Sequence, residues 1–311
     1  MAELARRTLG STGLEVTELA YGAMELRGQP RGRDLDEDDV GRLLNAALDA
    51  GINLIDTSID YDLSEERIGR HVGHRRDEFV LASKCGCLVG WKPETETVTG
   101  FRGGGPHDFG RDNIVAGVEQ SLRRLRTDHL DIVQLHASPE EEVLREHGVV
   151  ETLMDLQQQG KVRFIGVSGV LPNLADHIAM GVFTVFQIPY SAVERKHEQA
   201  ISDAAAAGAG VIIRGGAARG APSREERALA RNPGLASAWE RAGIDELLDG
   251  VSPMEFTLRF TLSHPDMTTT IVGTANPDHL AANIAAAEKG ALPDDLYAEA
   301  KRRLDEAAQA D

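Results

Sequence analysis

The sequence predicts an α/β protein of (β/α)8 TIM-barrel type, a single domain over residues 1–311, on three observations. Eight short apolar runs alternate with longer segments of helical period from Leu19 onward, the order that parallel strands with helical crossovers require. Unusually long connections, 86–110 and 216–250, follow the third and seventh runs; loops leaving the C-terminal ends of barrel strands are where such folds build active sites. A length of 311 residues suits one barrel with one large core. An open doubly wound sheet is the structural rival, but the first strand-to-helix turn lacks the glycine fingerprint with which such sheets hold dinucleotides.

The elements follow in order. ARRTLGSTGLEVTEL reads as two extended segments around a Ser-Thr-Gly turn, a hairpin placed at the barrel base. The first four strands are ELAYGAM ending at Met24, INLIDTS at Ser58, EFVLASK at Lys84 and LDIVQLH at His136. The second four are VRFIGVS ending at Ser168, VFTVFQIPY at Tyr190, GVIIRG at Gly215 and TTTIVGT at Thr274. Between them, Val40, Leu43, Leu44 and Ala47 share one helix face after an acidic first turn, and Gly51 stops that helix. Val115, Val118, Leu122 and Leu125 form a second stripe. Asn276-Pro277 reads as an N-cap with proline at the first helical position.

Composition narrows the function. A net charge of -17 repels nucleic acid and anionic membrane surfaces and points to a small-molecule substrate. The absence of a signal-like start and of an apolar run of about 18 residues predicts a cytoplasmic chain without a membrane span. Oligomeric state is not encoded in any feature of the sequence. Cys85 and Cys87 are too few for a disulfide framework or a four-ligand zinc site and read as small buried hydrophobes. The acidic run 140–142 reads as a solvated helix start, and no metal is expected. The glycine run 103–105 follows no strand directly and reads as a substrate loop, with Trp91, Phe101 and Phe109 as pocket-lining candidates.

Successive barrel strands deliver polar residues to one rim: Asp56 near the end of the second, Tyr61 just beyond it, Lys84 ending the third and His136 ending the fourth. A lysine after FVLAS is costly unless paired, and Asp56 on the neighbouring strand is a reachable counter-ion. An ammonium beside Tyr61 is expected to lower the phenol's pKa, so that it delivers a proton to a developing alkoxide. His136 would orient the carbonyl oxygen. A Schiff-base lyase using Lys84 is one rival; a cofactor-binding regulatory subunit with little turnover is another.

On DTSIDYDLSE, LASK, DIVQLH and VRFIGVS, with the N-terminal RRTLGSTGLEV and C-terminal IVGTANPDHLAANI, the sequence resembles the aldo-keto reductases over nearly its whole length. The resemblance implies NADP(H)- or NAD(H)-dependent interconversion of an aldehyde or ketone and its alcohol by an Asp56-Tyr61-Lys84-His136 tetrad. It places Ser168 and Gln187 at the nicotinamide carboxamide, Gly22 and Met24 beneath the nicotinamide ribose, and Arg214, followed by Gly215, against the ring. Gly273, Thr274, Asn276, His279 and Asn283 fall in the segment that holds the adenosine end, where a helix N-terminus suits phosphate. The sequence departs from the family pattern at Gly169, where asparagine is usual, and at Gly273, His279 and Ala282, which leave the choice between NADPH and NADH open. It departs again at Asp62, where glycine is usual; the extra negative charge is expected to disfavour acidic substrates.

Overall fold

In a computed structural model of the chain, which describes residues 3–29, 31–91, 105–217 and 233–309, the eight apolar runs form one closed parallel barrel. A hairpin of β1 (Arg6–Thr8) and β2 (Glu15–Thr17) precedes it. The barrel strands are β3 (Leu19–Gly22), β4 (Leu54–Asp56), β5 (Val80–Cys85), β6 (Leu130–His136), β7 (Val162–Ser168), β8 (Val185–Pro189), β9 (Gly210–Arg214) and β10 (Thr269–Val272). They pair in chain order, and β10 closes the ring between β9 and β3. The helices are α1 (Glu37–Asp49), α2 (Ser64–His71), α3 (Arg111–Leu125), α4 (Glu141–Glu146), α5 (Val149–Gln158) and α6 (Asn173–Ala179). They continue with α7 (Glu198–Ala206), α8 (Pro233–Arg241), α9 (Pro253–Leu262), α10 (Pro277–Glu288) and α11 (Asp294–Gln309).

The strand period of two divides the hydrophobic residues into two layers. Leu81, Val133, Leu135, Val167, Phe186, Val211 and Ile213 face the helices and join the larger core cluster. Ala20, Leu54, Val80, Ala82, Ile132, Val185 and Ile212 face the barrel axis and form a second, smaller cluster. Leu9, Leu14 and Val16 of the hairpin belong to this inner cluster, so the hairpin plugs the base of the barrel. Its seal leaves no spare room: a Cβ on Gly10, which lies at φ +52°, would stand 2.2 Å from the Gly210 nitrogen.

Capping follows the sequence cues. Asp36 caps α1 by accepting from the Asp38 and Asp39 amides, and Asn276 caps α10 by accepting from Asp278 with Pro277 in the first turn. The expected stripe on α3 holds at Val118 and Leu125 and shifts by one position at the other two places. Ile114, Gly117, Val118, Ser121 and Leu125 are buried, whereas Val115 and Leu122 are half-buried. Gly117 takes an inward place because the helix lies close to Ile59, 3.3 Å from where a Cβ would stand. Among the described residues no helix is long and apolar enough to cross a membrane.

Candidate active site at the C-terminal rim of the barrel

The same period carries polar side chains to the rim. Counting outward by twos from the inner apolar layer, Leu54 leads to Asp56, Ala82 to Lys84, Ile132 to Gln134 and His136, Val185 to Gln187, and Ile212 to Arg214. Each candidate thus shares its strand's interior parity with a residue that packs the barrel floor. His136 pairs in register with Ser168, and Ser168 with Gln187.

Asp56 is the hub of a buried network. Its Oδ2 accepts from Lys84 Nζ at 2.7 Å, and its Oδ1 accepts from the Gln187 amide at 2.8 Å and the Gln134 amide at 3.2 Å. Lys84 Nζ also donates to the Thr57 carbonyl at 2.8 Å. The Lys84 and Asp56 side chains are 1% and 2% exposed, so the pair survives only because nearly every polar atom in it has a partner. Burial alone would push the lysine pKa down; Asp56 more than offsets this, and the ammonium titrates above its ordinary range.

Tyr61 stands over this pair on the loop between β4 and α2, half-buried, with Lys84 Nζ 5.3 Å from its ring centroid. Backbone bonds from Tyr61 N to the Ser58 carbonyl and from Ser64 N to the Tyr61 carbonyl fix the loop. The phenol is corrected from the sequence expectation. Burial raises its pKa more than the Lys84 ammonium lowers it, and the net shift is upward. Tyr61 therefore keeps its proton at neutral pH.

His136 meets Tyr61 edge-on at 5.9 Å between ring centroids. Its Nδ1 lies 3.0 Å from the Cys87 sulfur and 3.3 Å from the Ser58 hydroxyl. Burial pushes the Cys87 thiol up to about 12, so it retains its hydrogen and, like the Ser58 hydroxyl, can donate to an unprotonated Nδ1. Burial, followed by the nearby Lys84 charge, holds His136 well below its usual range. The imidazole is then neutral, and in the tautomer whose Nδ1 accepts from Cys87 or Ser58 the hydrogen is on Nε2. Ser168 Oγ donates to Gln187 Oε1 at 2.8 Å, placing a hydroxyl and a carboxamide together beside the tetrad.

The profile of the aldo/keto reductase family matches residues 18–304, nearly the whole barrel. The chain belongs to the aldo-keto reductase family. It is similar to an uncharacterised oxidoreductase of Bacillus subtilis, 27% identical over 305 residues and 94% of each chain. It is also similar to the L-galactose dehydrogenase of Arabidopsis thaliana, 26% identical over 92% of this chain and 89% of that one. The holo form of a Bacillus halodurans aldo-keto reductase superposes with a TM-score of 0.81 at 27% identity, covering 98% of this chain and 96% of the other. The chain is therefore an oxidoreductase of a family that works with NADP(H) or NAD(H).

As an aldo-keto reductase it departs from pattern in ways the structure explains. Asp62, where glycine is usual, lies at φ +37°, in the left-handed region that glycine enters freely and aspartate tolerates. Its carboxylate is paired with Arg31 at 2.9 Å, and Arg31 also reaches Asp60 at 3.2 Å and lies over the Trp91 ring. Arg31 is shared between Asp60 and Asp62, so one positive charge faces two carboxylates and a net negative charge remains beside Tyr61. Gly169 has no room for a side chain, because a Cβ there would fall 2.2 Å from Ser138 Oγ, which accepts from the Val170 amide. Gly169→Asn is expected to cost about 1–3 kcal/mol by overpacking. Adding Ser138→Ala should recover most of it, read from the two urea midpoints; no recovery would show that another contact sets the cost. Gly273 is constrained in the same way, since its Cβ would stand 2.7 Å from the Gly22 carbonyl oxygen.

The remaining candidates are scattered around the same rim. Met24 is half-buried in a short 3-10 turn after β3, Gly22 is buried, and Gly215 follows Arg214 at φ +75°. Thr274 is buried and donates from its hydroxyl to the Asn276 carbonyl, His279 is exposed on the first turn of α10, and Asn283 is half-buried one turn on. Phe109 packs against Gly86, where a Cβ would lie 2.5 Å from its ring, and stacks on His107. Phe101 lies outside the described residues, as do 92–104 and 218–232 of the two long loops.

Sequence reasoning missed Gln134, Ser58, Cys87, His107 and Arg31. Gln134 was findable, because it stands two residues before His136 on the same strand face. The others sit on loops with no period to reveal them.

Proposed function

We propose that the chain transfers hydride between NADPH or NADH and an aldehyde or ketone, or in reverse from the alcohol, with Tyr61 delivering and recovering the proton. It acts as a single-domain enzyme on a small-molecule substrate. The observation that carries this reading is the buried Asp56–Lys84 pair, 2.7 Å apart, set beneath a half-buried tyrosine that retains its proton.

The residues present fit a dinucleotide. Ser168 and Gln187 offer a hydroxyl and an amide that together can donate to and accept from a carboxamide. Gly22 and Gly273 bring two backbones together without side chains at the rim, and Met24 would support the adjoining ribose. Arg214 and Gly215 would border the ring; a guanidinium plane can stack there. Thr274, Asn276, His279 and Asn283 lie at and just beyond the start of α10, whose positive dipole end suits phosphate. Bound cofactor supplies the hydride.

The chain supplies the rest. The Tyr61 hydroxyl gives its proton to the oxygen that becomes an alkoxide, and the Lys84 ammonium steadies the phenolate left behind. His136 Nε2–H donates to the same oxygen and fixes the carbonyl's direction. Trp91 and Phe109, with Phe101, would line the substrate entrance. An imine-forming role for Lys84 is disfavoured, because such a lysine must lose its proton and this one is held charged by Asp56.

The test is a titration with NADPH and then NADH, following the fluorescence of the two tryptophans, Trp91 and Trp239. Binding in the micromolar range of at least one is expected, followed by loss of reduced-nicotinamide absorbance on a carbonyl panel that includes aldoses. Borohydride added with the carbonyls should leave no adduct on Lys84. Binding of neither cofactor, or a trapped adduct, would overturn the proposal.

A further inference from the structure

Three soft ligand groups converge beside the tetrad. The sulfur of Cys87 and one ring nitrogen each from His107 and His136 lie within 4.8 Å of one another. Two of these residues come from one unusual local structure. Cys87 and His107 face each other across an isolated antiparallel bridge. Its two backbone bonds run from Leu88 N to the Pro106 carbonyl at 2.9 Å and from Asp108 N to the Gly86 carbonyl at 2.8 Å. Those bonds flank the pair rather than join it, which makes it a non-hydrogen-bonded pair, the kind whose side chains stand closest.

The bridge is held from outside. Asn113, in the first turn of α3, donates to the Cys87 carbonyl at 3.1 Å and the Asp108 carbonyl at 2.7 Å, and accepts from the Val89 amide at 2.9 Å. One side chain therefore pins both strands of the bridge. Phe109 stacks on the His107 ring with an interplanar angle of 11°. His136 enters from the neighbouring strand end, already 3.0 Å from the sulfur and edge-on to His107. Support of this kind around the ligands is what an organised metal site requires.

We propose that Cys87, His107 and His136 bind a zinc-class divalent cation at the mouth of the active site, and that the bound ion competes with the carbonyl substrate. One sulfur and two imidazole nitrogens form a borderline-soft set that suits zinc and cobalt and does not suit magnesium or calcium, which take oxygen ligands. With metal bonds of about 2.0–2.3 Å, ligand atoms around a tetrahedral ion stand roughly 3.3–3.6 Å apart. The sulfur stands 3.0 Å from the His136 nitrogen and no two of the three atoms are more than 4.8 Å apart, so side-chain adjustment is enough. On binding, the Cys87 S–H bond breaks, its proton goes to solvent and the sulfur's electron pair forms the bond to the metal. Three protein ligands leave a fourth position for water. His136, once coordinated, no longer presents a freely oriented ring to the carbonyl; this consequence, unlike the binding itself, rests on the function proposed above.

The test is titration of metal-free enzyme with Co2+, a spectroscopic stand-in for Zn2+. One equivalent should produce thiolate-to-cobalt charge-transfer absorption in the near ultraviolet and tetrahedral bands in the visible, both erased by added Zn2+. Cys87→Ser should remove the charge-transfer band. This variant keeps a hydroxyl able to donate to His136, so misfolding is not a ready explanation of its loss. His107→Ala, at an exposed position, should weaken binding by more than the roughly 10- to 100-fold that an outer-shell change costs. No band at tenfold excess Co2+, a band that persists in Cys87→Ser, or unchanged affinity in His107→Ala would each overturn the site, whatever the carbonyl assays show. With an active carbonyl, Zn2+ should raise the apparent KM reversibly, and EDTA should restore it. An unchanged KM at zinc saturation would overturn the competition.

Discussion

Tyr61→Phe is expected to lower kcat by about 10²–10⁴-fold, the contribution a positioned general acid commonly makes, while leaving cofactor affinity within about twofold. The asymmetry follows from geometry. The phenol stands over the buried Asp56–Lys84 pair at the end of the loop from β4. The groups proposed to hold cofactor lie on β7, β8 and β9, at the end of β3 and the turn after it, and from the end of β10 into α10, and none of them is on the loop that carries Tyr61. Removing the hydroxyl leaves the ring in contact with His136 and Lys84, so the loop has no reason to rearrange. Steady-state turnover and the fluorescence titration read the two quantities separately. Retained turnover would refute the proton-donor assignment; a parallel collapse of cofactor binding would mean that the tyrosine shapes the dinucleotide site instead.

Most of the barrel was legible because a strand buried on both faces reads as a continuous apolar run. The runs ending at His136 and Ser168 match β6 and β7 residue for residue. The run drawn to Met24 overshoots because Ala23–Leu26 turns into a 3-10 helix. Asp56, Lys84 and His136 were legible for a related reason: a polar residue at the end of an apolar strand needs a physical account, and a paired or functional role supplies one. What the sequence hid depends on contacts between distant loops. Arg31 reaches Asp62 from 31 positions away, and Asn113 ties Cys87 to Asp108 from the next helix. The expected phenol pKa failed similarly. The sequence shows which charges lie near Tyr61 but not how thoroughly water is excluded, and exclusion wins.

Lys84→Met should damage the protein twice, and the two effects should separate. Removing the ammonium leaves the Asp56 carboxylate buried with only the Gln134 and Gln187 amides, both on Oδ1. Breaking a buried pair in this one-sided way costs about 3–5 kcal/mol, visible as a lower urea midpoint. Turnover should also fall steeply, because Tyr61 loses the charge that steadies its phenolate. The double variant Asp56→Asn/Lys84→Met removes the uncompensated charge along with its partner. It should regain most of the lost stability, since a neutral replacement of a buried pair is often tolerated, yet remain as inactive as the single variant. Equal stability loss in both variants would show that the two residues are not coupled as their 2.7 Å contact implies. Recovered turnover in the double variant would be more damaging, because it would remove the ammonium from the chemistry and leave Lys84 as scaffold alone.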